Sequence, residues 1–240
     1  LNLKEITELT GLTKNKAFRI LATLTECQFI DRTADGNYFL HVRFLEFEHQ
    51  VSMRLNIVEL GGPILDELVA ETQESAFISI VDGDMALCVA ARESLSQIRL
   101  AASAGRRLPL YAGATPIILL AYMPEAERAA LLDRIELTPI TPETITDRAT
   151  LDQYLTKVRE QGYVLTPEDL TEGARGVGAP IRDFTGKVVA SLSISGIAPH
   201  FTGERADHYI EVVLAATEKL SRSLGYKPVS AGRLAHAMQP

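Results

Sequence analysis

Tryptophan is absent from the 240 residues, and cysteine occurs only twice, as Cys27 and Cys88. Two cysteines so far apart, with no partner motif, exclude a disulfide framework and a cysteine-based zinc site. The histidines (His41, His49, His200, His208 and His236) show no i, i+4 pair and no cysteine neighbour, so no metal centre is expected. Gly173, Gly176 and Gly178 have neither the spacing of a phosphate loop nor that of a dinucleotide fingerprint. They read instead as backbone turns that let a loop approach a ligand, and no cofactor is expected. A nucleophile elbow, a kinase motif set and a paired-carboxylate motif are likewise missing. No apolar run approaches the roughly 20 residues of a membrane helix, and the opening Leu1–Glu5 lacks the basic-then-apolar order of a signal peptide. These absences lead to the expectation of a chain housed in a reducing cytoplasm, without a membrane contact.

What is present is an ordinary packed composition, 46% apolar and 23% charged, too hydrophobic for disorder. The net charge of −7 is unevenly spread. Between Gly11 and Thr25 the only charged residues are Lys14, Lys16 and Arg19, and a local basic patch binds phosphates whatever the overall sign. Around that patch the local signals are dense. Asn2 and Glu5 have capping-box spacing and Gly11 supplies a left-handed stop, so a first helix is predicted over Lys4–Leu9. Thr13 is expected to cap a second, running from Lys14 to about Gln28 and burying Ala17, Phe18, Ile20, Leu21 and Leu24. Two helices joined so tightly form a helix-turn-helix. Phe29–Arg32 and Tyr38–Leu40 flank Asp35-Gly36 as a hairpin, which makes the unit a winged helix. Residues 42–54 continue as a linker helix, its Phe44 and Phe47 offered to a subunit contact.

From about residue 55 the pattern changes. A helix is expected at 55–72, strands at 75–81, 86–91 and 98–102, and a Gly/Pro-containing loop at 105–113. Helices then open near Thr115-Pro116, at Pro124 and at Thr150. Strands follow at 163–166, 176–181 and 188–195, then a last helix over 204–224, stopped by Gly225. Hairpins rather than βαβ alternation place this second domain in the α+β class. The divisions are 1–41 for the winged helix, 42–54 for the linker, 55–226 for the larger domain and 227–240 for a mobile tail.

The runs Leu3-Lys4-Glu5-Ile6, Thr10–Lys14 and Arg19–Leu24, then Leu108–Ala114, Leu119-Leu120-Ala121, Gly162-Tyr163, Gly173–Pro180 and Ser191–Gly196, resemble in order and spacing the IclR-type regulators. The resemblance covers about residues 1 to 225. It implies a transcriptional regulator, often a repressor: an N-terminal winged helix that binds a near-palindromic double-stranded operator, and a GAF-like mixed sheet flanked by helices that binds a small effector. It also implies homodimers or tetramers. A further helix ahead of the one Asn2 opens is implied too, so this chain is expected to be N-terminally incomplete. Thr115-Pro116-Ile117 stand where the family has a small residue and a Gly-Lys pair, so the effector is expected to differ.

Candidate DNA contacts are Thr13, Lys14, Asn15, Lys16 and Arg19 at the start of the second helix. Asparagine reads adenine, arginine and lysine read guanine, and free N–H groups at a helix start suit a phosphate. Arg32 and Asn37 are the wing contacts. The resemblance places Leu100, Leu108, Ala114 and Thr115 on one wall of an effector pocket and Gly176, Ser193 and Ser195 on the other, with Tyr111, Glu168, Asp169 and Arg175 nearby. Ser193 and Ser195 alternate with Leu192 and Ile194, so their hydroxyls share one side of a strand. Ala114 and Thr115 fall where a helix begins, which favours an organic acid. Two other functions fit parts of this pattern: an enzyme using Ser193 or Ser195 with His200, and a scaffold whose winged helix contacts protein.

Overall fold

The computed structural model describes residues 1–44 and 57–227. The chain divides into two compact units, Leu1–Asn56 and Ile57–Pro240.

In the first unit, α1 (Leu3–Thr10) carries the expected reciprocal cap. The Glu5 N–H donates to Asn2 Oδ1 at 3.0 Å and the Asn2 N–H to Glu5 Oε2 at 2.8 Å. Gly11, at φ +67°, ends the helix in the left-handed region that a side chain would resist. Helix α2 (Lys14–Glu26) follows after three residues. Thr13 holds the cap position through its carbonyl, which accepts the Ala17 N–H at 2.9 Å, but its hydroxyl makes no capping bond. The buried stripe is narrower than expected. Ala17 and Leu21 are buried, whereas Phe18 is 50% and Ile20 42% exposed. The reason is angular: 17, 21 and 24 follow one another at i, i+4, i+7, while 18 and 20 lie on either side of that stripe.

Strands β1 (Ile30–Arg32) and β2 (Tyr38–Leu40) pair antiparallel, Arg32 opposite Tyr38. Their turn closes through the Gly36 N–H on the Thr33 carbonyl, Gly36 lying at φ +84°. Asn2 bridges to Asn37 beside the hairpin. Phe29 and Phe44 pack as a tilted pair, ring centroids 5.9 Å apart and ring planes at 59°. Phe47 and the remainder of the expected linker helix lie outside the described residues, as does the tail from residue 228.

The second unit is a six-stranded sheet between helices. Its elements are α3 (Ile57–Thr72), β3 (Ser75–Asp82), β4 (Met85–Arg92), β5 (Arg107–Pro109), α4 (Ala114–Tyr122), α5 (Glu125–Arg134), α6 (Arg148–Gln161), β6 (Val164–Leu165), β7 (Ala174–Arg182), β8 (Val188–Ile197), a 3-10 turn (Ala198–His200) and α7 (Gly203–Ser223). The strand order is β5-β4-β3-β8-β7-β6. Every described pairing is antiparallel, so the sheet is not mixed in strand direction; two hairpins, β3–β4 and β7–β8, meet side by side at β3 and β8.

Three local expectations change. Residues 98–102 form no strand; the edge strand is Arg107–Pro109, inside the segment expected to be a loop. Gly105 turns the chain at φ +88° so that Arg106 and its followers pair with β4, while the serine-rich stretch before it is held by side chains: the Ser75 hydroxyl donates to the Leu100 carbonyl at 2.7 Å and the Ser94 hydroxyl to Gln73. Helix α6 is capped by Asp147, which accepts both the N–H and the hydroxyl of Thr150, so Thr150 lies inside the helix it was expected to cap.

The two faces of the sheet differ in chemistry. Ile78, Leu192 and Ile194 point to the side covered by α3 and α7, where Gly61 gives room for the Ile78 side chain. The opposite face presents the cross-strand rows Ser75–Ser195–Gly176, Phe77–Ser193–Gly178 and Ser79–Ser191–Pro180. Helix α4 lies on this second face, buried from Ala114 through Ala121.

Candidate functional site

On α2 the side opposite the buried stripe carries Asn15, Lys16, Arg19 and Thr23. With Thr13 and Ile20 they line one shallow surface hollow. At 100° per residue, Lys14 falls about 50° from the centre of the buried stripe, at the flank of the presented face. Thr13, Lys14, Asn15, Lys16 and Arg19 are all exposed, and none of the three cations makes an ion pair among the described residues. On the hairpin, Arg32 lies over the Tyr38 ring at 5.5 Å, and Asn37 is exposed beside it.

The second unit holds a cavity of about 70 Å³ between the serine face of the sheet and the start of α4. Of the expected ligand contacts, Leu100, Leu108, Ala114, Thr115, Ser193 and Ser195 line it. Gly176 does not line it but lies behind two residues that do: a side chain there would collide with Ser195 Oγ and stand 3.1 Å from Ala114 Cβ. Tyr111 does not line it. Its ring is packed among Leu110, Ala112 and Ile117, and its hydroxyl bonds to Thr138. Arg175 and Glu168 do not line it either. Glu168 accepts the Gly173 N–H at 2.7 Å.

The wall also contains Phe77, Ser79, Cys88, Arg106, Leu170 and Thr171, none of which the sequence pattern singled out. Phe77 and Ser79 were within reach of the period-two argument applied to Ser193 and Ser195, since β3 alternates in the same way. Cys88 was not. A register shift between Ile78 and Ser79 brings it opposite Ser79, and a bulge of that kind leaves no local signal. Its thiol is held at a raised pKa by burial and donates to the Ala90 carbonyl at 3.4 Å.

The glycines read as loop turns have a different task. Gly176 and Gly178 lie within β7, and a side chain at Gly178 would stand 2.9 Å from the Ala114 carbonyl oxygen. Their bareness lets the start of α4 settle directly on the strand. Only Gly173, at φ +75°, belongs to a turn.

The polar groups facing the cavity divide into those already bonded and those free. Ser79 donates to Thr115 Oγ1 at 3.1 Å and Ser191 to the Thr115 carbonyl at 2.9 Å; these two serines hold α4 in place. Ser193, only 2% exposed, and Ser195 have no hydrogen-bond partner among the described residues. Helix α4 starts without a side-chain cap. Pro116 has no N–H, which leaves the amides of Ala114 and Thr115 as the open donors of the first turn. Arg106 stands exposed on the wall with no ion pair among the described residues. A helix start, one guanidinium and two hydroxyls around an apolar lining suit a small anion with an oxygenated carbon.

His200 is not part of this wall. Its Nδ1 lies 2.5 Å from Glu74 Oε1, and the buried Glu74 carboxylate also meets Arg205 and Tyr209. The serine–histidine constellation of the enzyme reading is therefore not assembled here. Among the described residues no three His, Cys, Asp or Glu side chains gather into a group able to hold a metal ion, and no helix is long and apolar enough to cross a membrane.

Comparison with known proteins agrees with this division. Residues 1–34 match the IclR helix-turn-helix domain, and residues 49–222 match the domain described as bacterial transcriptional regulator IclR C-terminal. The chain is 35% identical over 226 residues to the HTH-type transcriptional regulator KipR of Bacillus subtilis, covering 94% of this chain and 90% of that protein. It is 32% identical to the regulator XynR of Escherichia coli, over 94% and 90% of the two chains. The crystal structure of the Thermotoga maritima IclR superposes with a TM-score of 0.69 at 32% identity, over 94% of this chain and 92% of that one. These relatives are regulators rather than enzymes. A winged helix-turn-helix, a helix-flanked antiparallel sheet and both family matches in chain order make this chain a member of the IclR family of transcriptional regulators.

Proposed function

We propose that this regulator's affinity for its operator is set by a small carboxylate-bearing metabolite held between α4 and the serine face of the sheet. The carboxylate accepts the amides of Ala114 and Thr115 with Arg106 nearby, Ser193 and Ser195 bond a hydroxyl or carbonyl oxygen, and Phe77, Leu100, Leu108 and Leu170 enclose the carbon chain. The observation that carries this reading is the pair of Ser193 and Ser195 hydroxyls, without a hydrogen-bond partner among the described residues, on the cavity wall beside the open amides of Ala114 and Thr115.

On the DNA side, Asn15, Lys16, Arg19 and Thr13 enter the major groove, Lys14 serves at its flank, and Arg32 and Asn37 reach the neighbouring backbone or minor groove. One such head makes too few contacts for an operator, so the working form in the cytoplasm is a homodimer or tetramer. It sets two recognition helices roughly 34–36 Å apart on a near-palindrome. The metabolite favours one arrangement of the subunits and so shifts the population that fits this spacing. The test is thermal-shift screening of small carboxylates against the whole chain, with an operator shift assay for any stabiliser found. A specific stabiliser is expected to lose its effect in the Ser193→Ala, Ser195→Ala double variant. A stabiliser indifferent to that change would place the effector elsewhere.

A further inference from the structure

Asp169 stands one residue behind the cavity wall. Its carboxylate is buried, 4% exposed, and has no cationic partner among the described residues. Oδ2 accepts the N–H of Gly113 at 3.0 Å, and Gly113 is the N-cap residue of α4. The segment around it is well anchored: the Thr141 hydroxyl donates to the Glu168 carbonyl at 2.8 Å and the Thr144 hydroxyl to the Asp169 carbonyl at 2.7 Å. The next residue, Leu170, lines the cavity and lies so close to Gly113 that a side chain there would strike it at 2.8 Å. Wall, helix start and buried carboxylate are thus one connected piece.

The charged and titratable surroundings are sparse. Helix α6 contributes Tyr154, whose hydroxyl is buried without a partner among the described residues and feels the charge of Asp169. Helix α4 carries no charged residue. Across the cavity stand Arg106 and the neutral Cys88 thiol. Glu168 and Glu172 lie on the same segment, Glu168 already bonded to Gly173. Arg175 of β7 alternates with Gly176 and so belongs to the other face of the sheet. Desolvation is therefore the largest influence on Asp169, outweighing the N–H groups of Gly113, Asp169 and Leu170, and it raises the carboxyl pKa from 3.8 to about 6.

We propose that Asp169 takes up a proton when an anion occupies the start of α4, so that effector binding and protonation are coupled. The inference rests on the effector site proposed above. The carboxylate of Asp169 and a bound carboxylate would address neighbouring N–H groups of one helix start in a poorly solvated region. Two like charges so placed raise the proton affinity of the one that can titrate. Linkage then requires the anion to bind more tightly as pH falls through the raised value of the complex, levelling off below about pH 6.

Acetate is a suitable probe, because it carries the charge and nothing else and stays largely ionised above about pH 6. Acetate titrations of the full chain, followed by NMR at the Ala114 and Thr115 amides, are expected to show about tenfold tighter binding at about pH 6 than at about pH 8, within the one-proton limit of tenfold per pH unit. Asp169→Asn is expected to bind acetate with no pH dependence over that window. Equal slopes in both proteins would overturn the coupling. If Asp169→Asn does not fold, the carboxyl ¹³C shift of Asp169 in the unaltered chain decides: its titration midpoint must rise on adding acetate, and an unmoved midpoint with acetate bound overturns the proposal. Failure of acetate to perturb the two amides at any pH would remove the site and the coupling together, whereas bound acetate without a slope removes the coupling alone.

Discussion

Replacing Gly178 by alanine adds one methyl group where the strand meets the start of α4. That Cβ would lie 2.9 Å from the Ala114 carbonyl oxygen, 3.1 Å from its carbon and 3.3 Å from its Cβ. Two of these three atoms are backbone, so no side chain can swing aside, and β7 and α4 must separate by several tenths of an ångström. Overpacking of this kind typically costs about 1–3 kcal/mol, and for a domain of this size each 1 kcal/mol lowers Tm by roughly 2–4 °C. The displacement also has a direction. Gly178 pairs with Ser193, so the amides of Ala114 and Thr115 move away from the hydroxyls with which they are proposed to share a ligand. Calorimetry should show a Tm lower by several degrees, and any carboxylate stabiliser should bind at least about tenfold more weakly, a difference of about 1.4 kcal/mol. An alanine variant with unchanged Tm and unchanged ligand affinity would refute the close seating of α4 on β7 and the geometry built on it.

Two neighbouring glycines of α3 should respond in opposite senses. Gly62→Ala meets only the end of Arg92 at 3.4 Å and is expected to stabilise by up to about 1 kcal/mol through helix propensity, whereas Gly61→Ala collides with Ile78 Cδ1 and should lower Tm in the same melting experiment. The pH dependence of stability has a definite sign at Asp169. Its pKa is raised from 3.8 to about 6 in the folded chain, so the folded state binds more protons and this group's contribution is complete below about pH 4 and disappears as pH rises through about 6. Urea melts of Asp169→Asn between those values should lack a change of about 2–3 kcal/mol that the unaltered chain shows; parallel curves would contradict it. On α2, Arg19→Ala should weaken operator binding and flatten its dependence on salt by about 0.9 in log–log slope for each phosphate the variant can no longer reach, and Lys14→Ala should cost less, since Lys14 lies at the flank of the presented face. Fluorescence anisotropy over a salt series measures both.

Much of this molecule is legible in its residues because the signals involved are short-range. The Asn2–Glu5 capping box and the Gly11 stop act within one or two turns of chain, and the hairpin at Gly36 is set by a residue that tolerates positive φ. The common side of Ser193 and Ser195 follows from the pleat alone. What failed to follow were assignments in which a competing neighbour or a distant partner decided. Thr150 looks like a cap until Asp147 is seen in that place. Tyr111 looks like a pocket residue until its hydroxyl is seen on Thr138. Residues 98–102 look like a strand until the Leu100 carbonyl is seen accepting the hydroxyl of Ser75, twenty-five positions away on β3.

From the order of its residues alone, the chain has a helix-turn-helix with a wing, a second α+β unit, and two serines facing one way. Periodicity, caps and turns depend on neighbours three or four positions away and are written locally. The tertiary structure decided which side of the sheet those serines face, and against what. That outcome required β3 and β8 to pair across more than a hundred residues and two bare glycines to admit a helix start. It also required a register shift to turn Cys88 inward and a buried Asp169 to hold the N-cap of α4. Such pairings are selected by the burial of whole surfaces, and no window of sequence contains both of the surfaces that meet.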